Sequence, residues 1–181
     1  MTNEEKFWFL ISEDNINIKD LTILIPELKL LELCPVNHPA HIYNVLEHSI
    51  ETMKLTNNPI LRAVALLHDI GKYEAVTYDE SGITRYKGHD KISATLSSLI
   101  FRSIGVDEDK VNLLTILIYY HDTPMDTEEK IIDFKNRYGL ETLKLLYEFQ
   151  VCDMSTHAPR YASMKLASLF DIQKTYSYLL K

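Results

Sequence analysis

At 181 residues, 46% hydrophobic and 25% charged, the chain has the length and composition of one globular domain and is short for two. Its formal net charge of −7, with Lys and Arg scattered and in no basic run, argues against duplex DNA or long RNA as a partner, because gripping such a polyanion takes clustered cations. No apolar run approaches the ~18–20 residues that span a bilayer, and the acidic start MTNEEKFWFL lacks the features of a signal peptide, so the chain reads as cytoplasmic.

In chain order, apolar residues recur mostly at helical spacing. A weak helix is expected near 3–11, followed by helices at about 26–34 and 42–55. Pro59 opens the next, an apolar helix through Leu61, Val64, Ala65, Leu67 and His68 that stops at Gly71, read as a C-terminal breaker. Residues 73–88, with Gly82 and alternating Thr, Tyr and charged residues, are the one irregular region: a loop or a short hairpin, and a candidate substrate lid. A long helix then carries the stripe Leu96, Leu99, Ile100 and Ile104 and ends at Gly105. The run 111–120 is apolar nearly all round and is read as a buried central helix, although its Ile and Tyr content also suits a strand. Helices follow at about 127–137, 139–153 and 160–179, the last opened by Pro159. The expected fold is therefore all-α, a single-domain helical bundle with one functional loop. Cys34 and Cys152 lack metal-finger spacing and are read as reduced core cysteines.

The chemistry concentrates in seven histidines: His38, His41, His48, His68, His89, His121 and His157. Several stand beside or one turn from an aspartate: His68–Asp69, His89–Asp90, His121–Asp122, and His157 after Asp153. Neutral imidazole and carboxylate together suit a divalent first-row transition ion (Mn, Fe, Co, Ni or Zn) better than magnesium. In LRAVALLHDIGK, an apolar helix brings His68 and Asp69 to its last turn. Adjacent residues point ~100° apart on a helix, yet both reach one ion lying beside the terminus. In HIYNVLEHSI, His41 and His48 are seven residues apart, about 10 Å along a helix axis, so one ion cannot take both. His48 lies mid-helix and fits the ligand role, leaving His41 at the helix start, nearer the mouth of the site. GHDKIS opens a helix at His89, IYYHD closes one at His121, and VCDMSTHAP delivers Asp153. Four helices each presenting ligands inward build a bundle metal site.

The order of His48, then His68–Asp69, then a distant Asp153 resembles the HD superfamily of metal-dependent phosphohydrolases, over roughly residues 36–160. The texture of HIYNVLEHSI, LLHDIGK, YKGHDKIS and VCDMSTHAP is similar to the HD region of tRNA nucleotidyltransferases and poly(A)-polymerase-like proteins. The resemblance implies an HD core at 36–160, N-terminal helices at 1–35 packed on it, and a C-terminal helix at 161–181 of the same domain. It implies His48, His68, Asp69 and Asp153 as metal ligands, with His89 and His121 standing where a second ion's ligands would fall. Without that second ion the two are helix-terminal histidines, so the expectation is one or two ions. Residues 1–35 lack the Gly-rich and paired-Asp segments of a nucleotidyltransferase head, so nucleotide addition is not expected. The GYP segment of the cyclic-di-nucleotide branch and the Glu-Asp pair of alarmone hydrolases are also missing.

The function implied is hydrolysis of a phosphomonoester or phosphodiester, in a nucleotide or similar small phosphate ester, by metal-activated water. Asp69 would orient or deprotonate that water. Lys72 is the first choice for holding a phosphate oxygen, with Arg85, Lys87 and Lys91 as further substrate-binding candidates. Two alternatives stay open: a non-catalytic regulatory module that binds metal or nucleotide, and an RNA-end processing module of the 2′,3′-cyclic phosphodiesterase kind. The apolar N- and C-terminal helices leave room for a homodimer.

Overall fold

The computed structural model of the protein describes residues 1–181 and is all-α. Helices α1 (Asn3–Ser12), α2 (Ile18–Leu24) and α3 (Leu28–Leu33) lead into α4 (Val45–Lys54) and α5 (Pro59–Leu67). A short α6 (Lys72–Ala75) and a hairpin of β1 (Thr77–Tyr78) and β2 (Thr84–Arg85) fill the irregular region. Then come α7 (His89–Ile104), α8 (Glu108–Tyr120), α9 (Glu128–Tyr138), α10 (Leu140–Ser155) and α11 (Pro159–Thr175), with a closing 3-10 turn at Ser177–Leu180. No helix is long and apolar enough to cross a membrane.

The helix at the centre is α5, not α8. Every residue from Leu61 to Leu67 is buried, and α1, α4, α8 and α10 all pack on it. Its small residues, Ala63 and Ala65, suit an element with neighbours on every side. In α8 only Val111, Leu114, Leu117 and Ile118 are buried, while Tyr119 is exposed. The run that looked apolar all round is thus amphipathic, because its tyrosines and Thr115 tolerate the rim. The one charge inside α5, Arg62, is buried and satisfied by backbone. It donates to the carbonyls of Ile11, Thr56 (3.3 Å) and Glu13 (2.8 Å). A buried cation persists only with such partners, and here it ties the end of α1 to the core.

Two expectations about helix ends change. Residues 42–44 are not helical: Asn44 caps α4, its side chain accepting from the Glu47 backbone N–H while the Glu47 carboxylate accepts from Asn44 N–H. Gly71 is not a C-terminal breaker either, since α5 already ends at Leu67 and Gly71 has helical φ −80° and ψ −6°. Glycine is needed there for space. A Cβ would lie 2.6 Å from Ser93 N, 2.7 Å from His89 O and 2.8 Å from the Ile92 side chain. The Gly71 N–H also donates to Ser93 Oγ at 2.9 Å, so the turn after α5 lies directly against the first turn of α7.

The region 73–88 is a short helix followed by a hairpin that pairs Thr77 with Arg85 and Tyr78 with Thr84. It is stitched to the segment before α4. Thr84 N–H donates to Asn37 O at 3.1 Å, Asn37 N–H to Thr84 Oγ1 at 3.0 Å, and the Asn37 amide to Gly82 O at 2.9 Å. These long-range bonds make it a wall of the site and not a free lid. Gly88, at φ +83°, then turns the chain left-handed into α7, a conformation glycine adopts without penalty, and His89 becomes the first helical residue.

Candidate metal centre

Five elements deliver the site. His48 lies in the first turns of α4, His68 caps α5, Asp69 follows in the turn, His89 opens α7, His121 caps α8, and Asp153 sits near the end of α10. All six are buried. Their donor atoms form two groups, one of His48, His68 and Asp69 and one of Asp69, His89 and His121.

In the first group, His48 Nε2 is 2.8 Å from Asp153 Oδ1 and 3.3 Å from His68 Nε2. His68 Nε2 in turn lies 3.3 Å from Asp69 Oδ2 and 3.5 Å from Asp153 Oδ1. In the second, His89 Nε2 is 3.2 Å from Asp69 Oδ1 and 3.1 Å from His121 Nε2, and His121 Nε2 is 3.8 Å from Asp69 Oδ1. Asp69 therefore belongs to both, one carboxylate oxygen facing each.

The chemistry of the donor atoms fits metal binding in each of the two groups. All four imidazoles turn Nε2 inward, and their Nδ1 atoms are occupied behind the site. His68, His89 and His121 bond through Nδ1 to the carbonyls of Ala65 (2.8 Å), Tyr86 (2.9 Å) and Ile118 (2.6 Å). His48 Nδ1 bonds to Thr156 Oγ1 at 2.9 Å, and Thr156 donates onward to Asp153 O at 2.7 Å. Such outer partners fix the tautomer that leaves Nε2 free for a metal. Both Asp69 oxygens are buried without a hydrogen bond. Lys72 approaches Oδ2 as an ion pair at 2.6 Å but does not donate a well-directed bond, so the carboxylate remains open to a stronger cation.

Electrostatics follow from this crowding. Burial opposes charge on His68, yet Asp69 and Asp153 overcome it and push its pKa up to about 10. Burial likewise opposes ionisation of Asp69 and Asp153, but His68 with Lys72 for the first, and His48 with His68 for the second, hold them well below the usual carboxylate range. Burial pushes His121 down. A metal must displace the His68 proton. At neutral pH, loading is therefore expected to release a proton, and affinity should rise roughly tenfold per pH unit between about 7 and 10. Titration calorimetry in buffers of different ionisation enthalpy measures this release; zero protons released at pH 7 would contradict it. Without metal the same group favours folding fully below its unfolded pKa, a contribution lost as pH rises through about 10.

The centre lies at the floor of a polar cavity of about 480 Å³, which all seven histidines line. Lys72, Arg85 and Lys87 also line it. Lys72 is buried, its ammonium 5.2 Å above the Tyr86 ring, and Arg85 is paired with Asp79 at 2.7 Å. Lys91 is a correction: it does not line this cavity but lies on the outer face of α7 with Thr95 and Leu99, because its position in the helix turns it away from His89.

His41 is not 10 Å from His48. Since α4 starts only at Val45, the preceding turn folds back, and the two rings lie 6.2 Å apart. Asp122, given no role by sequence, reaches the second group with Oδ2 3.5 Å from His89 Nε2. His157 follows Asp153 by one turn and shares its face, a spacing legible in the sequence. Gln150 carried no such signal. Its buried amide donates to the carbonyls of His121 and Thr123, both at 3.0 Å, clamping the turn that presents His121 and Asp122. Gln150→Leu is expected to weaken binding at the second group about 10- to 100-fold while leaving the first intact, read by metal titration. Equal weakening at both groups would refute a local clamp.

Cys34 and Cys152 are free and buried, and burial pushes both thiols up to about 11, the behaviour of inert core cysteines.

No protein-family model matches the chain. It is similar to the A-adding tRNA nucleotidyltransferase of Deinococcus radiodurans, with 28% identity over 96 residues. The match takes in 49% of this chain and 22% of that enzyme, so the chain spans about a fifth of its relative's length.

Proposed function

We propose that the protein is a metal-dependent phosphohydrolase of the HD type, cleaving a phosphomonoester or phosphodiester in a nucleotide or a similar small phosphate ester. The observation that carries this reading is Asp69, whose two buried oxygens face two separate imidazole groups. A carboxylate shared in this way is the natural bridge of a two-ion site. His48, His68, Asp69 and Asp153 would hold one ion, and Asp69, His89 and His121 the other. When bound, the ions supply a nucleophilic water at neutral pH and neutralise the phosphoryl oxygens.

The protein's own residues do the rest. Asp69 and Asp153 stay ionised and orient the imidazoles, and the hairpin wall excludes bulk water from one side. Lys87, which makes no ion pair, would add positive charge around the phosphoryl group, beside Lys72 paired with Asp69 and Arg85 paired with Asp79. The N-terminus of α7, where Gly88, His89 and Asp90 line the cavity, would favour an anion through its helix dipole.

The test is metal content by plasma mass spectrometry together with hydrolysis of generic phosphomonoesters and phosphodiesters under added Mn²⁺, Co²⁺, Ni²⁺ and Mg²⁺. One or two ions per chain and metal-dependent turnover are expected. Bound metal with no turnover would favour a regulatory module, and failure to bind any metal would overturn the reading. A specific observation supports RNA ends as a second reading: the relative is named for acting on tRNA. A steep salt dependence of RNA binding would favour it, and salt-independent hydrolysis of mononucleotides would retire it.

A further inference from the structure

Three of the seven histidines take no part in either donor group. His38, His41 and His157 continue the run of imidazoles outward from His48: the His157 ring lies 5.5 Å from His48, His41 lies 5.1 Å from His157, and His38 lies 5.6 Å from His41. They lie on the His48 side of the cavity, away from His89 and His121. They do not converge as a third ion site, since the only groups with donor atoms close enough for that are the two already described.

Their hydrogen bonds define what they offer. His38 Nδ1 accepts the Ala40 N–H at 3.1 Å, which leaves its proton on Nε2 as a donor. His157 Nδ1 donates to Asp153 O at 3.1 Å, so its Nε2 is an acceptor, and Lys165 Nζ lies 3.5 Å from it. Lys165 is thereby held over the cavity it lines. Its ion-pair partner is missing: no carboxylate lies within salt-bridge distance, in contrast to Arg85 with Asp79. The His41 ring has no hydrogen-bond partner, although it is packed between His38 and His157. An unpaired ammonium held on His157, and beyond His157 two imidazoles with N–H groups to donate, line one side of the cavity and together offer donors to an anion.

We propose that Lys165, His38 and His41 form a second phosphate subsite, so that the preferred substrate carries a chain of at least two linked phosphates and not a single phosphoryl group. The proposal rests on reading the two donor groups as a phosphohydrolase centre. Further cationic and hydrogen-bonding side chains, Lys87 and His157 among them, line the same cavity, which suits a chain of phosphates. The phosphate chain, free or carried by a nucleoside, is therefore what the subsite reads.

The experiment measures affinity for inorganic tripolyphosphate and for methyl phosphate by calorimetry, with the divalent ion in excess over ligand. Wild type, Lys165→Gln and His41→Asn are compared. Lys165 is exposed on α11, so its replacement leaves the core untouched and the fold intact. Tripolyphosphate is expected to bind at least about tenfold tighter than methyl phosphate in wild type, and Lys165→Gln to remove most of that difference without changing methyl phosphate. Equal affinity for the two inorganic probes in wild type, or equal losses for both in Lys165→Gln, would overturn the subsite. Turnover of p-nitrophenyl phosphate in the same samples separates the two readings. Tight, Lys165-dependent tripolyphosphate binding without turnover would support the subsite while sinking the hydrolase.

Discussion

Asp69→Asn is expected to empty both halves of the centre together. Asp69 gives one oxygen to the His48–His68 side and the other to the His89–His121 side, so no ligand of comparable reach replaces it. An asparagine keeps the shape but loses the charge and one of the two oxygen donors. Metal content should fall from one or two ions per chain to none, and turnover by more than about a hundredfold, a lower bound set by the cost of losing a mere outer-shell partner. His121→Ala should behave differently, weakening only the second group and leaving one ion on His48, His68, Asp69 and Asp153. In the metal-free state Asp69→Asn also strands the buried Lys72 ammonium, 2.6 Å from the lost charge. Breaking such a buried pair costs about 3–5 kcal/mol, so the metal-free variant should melt earlier while keeping its helical signature. An Asp69→Asn protein that retained full metal content would refute the shared carboxylate.

The second large effect comes from a residue with no side chain. Gly71→Ala is expected to destabilise the protein by about 2–3 kcal/mol, the usual cost of overpacking a tight contact, or roughly 4–12 °C in melting temperature for a domain of this size. The added methyl would meet backbone atoms of Ser93 and His89 at 2.6 and 2.7 Å, and backbone cannot rotate out of the way. Because the clash falls on the first turn of α7, the movement that relieves it carries His89 with it. The second group should then lose affinity more than the first. Thermal melts with and without metal, beside a stoichiometric titration, check both parts. A Gly71→Ala variant as stable as the wild type would show that α7 can slide, contradicting the packing described here.

Much of this could be read from residue order. Helical periodicity located most helices, Pro59 and Pro159 marked two helix starts, and the histidine and aspartate positions pointed to the side chains that the fold brings together. Those features are local, set by side-chain spacing along a 3.6-residue turn and by the few residues that start or stop it. Helix α2 (Ile18–Leu24) has only Leu21 buried, so it shows no apolar stripe by which periodicity could locate it. Nearness in sequence places Lys91 at the cavity, yet two residues past His89 is about 200° round the helix, which turns it to the opposite side.

What only the tertiary structure decided are the relations between elements. The sharing of Asp69 depends on the angle at which α5 meets α7 and α8, and periodicity within any one helix carries no record of it. The need for glycine at position 71 arises from a neighbour more than twenty residues away, Ser93. The centrality of α5 over α8 reflects how many other helices pack on it, which hydrophobicity alone does not specify, since both segments are apolar. The sequence by itself, through motif order and its resemblance to a known family, singled out histidines and aspartates that the fold brings together. The packing of distant helices determined which oxygen faces which imidazole, because those distances are fixed by contacts far apart along the chain.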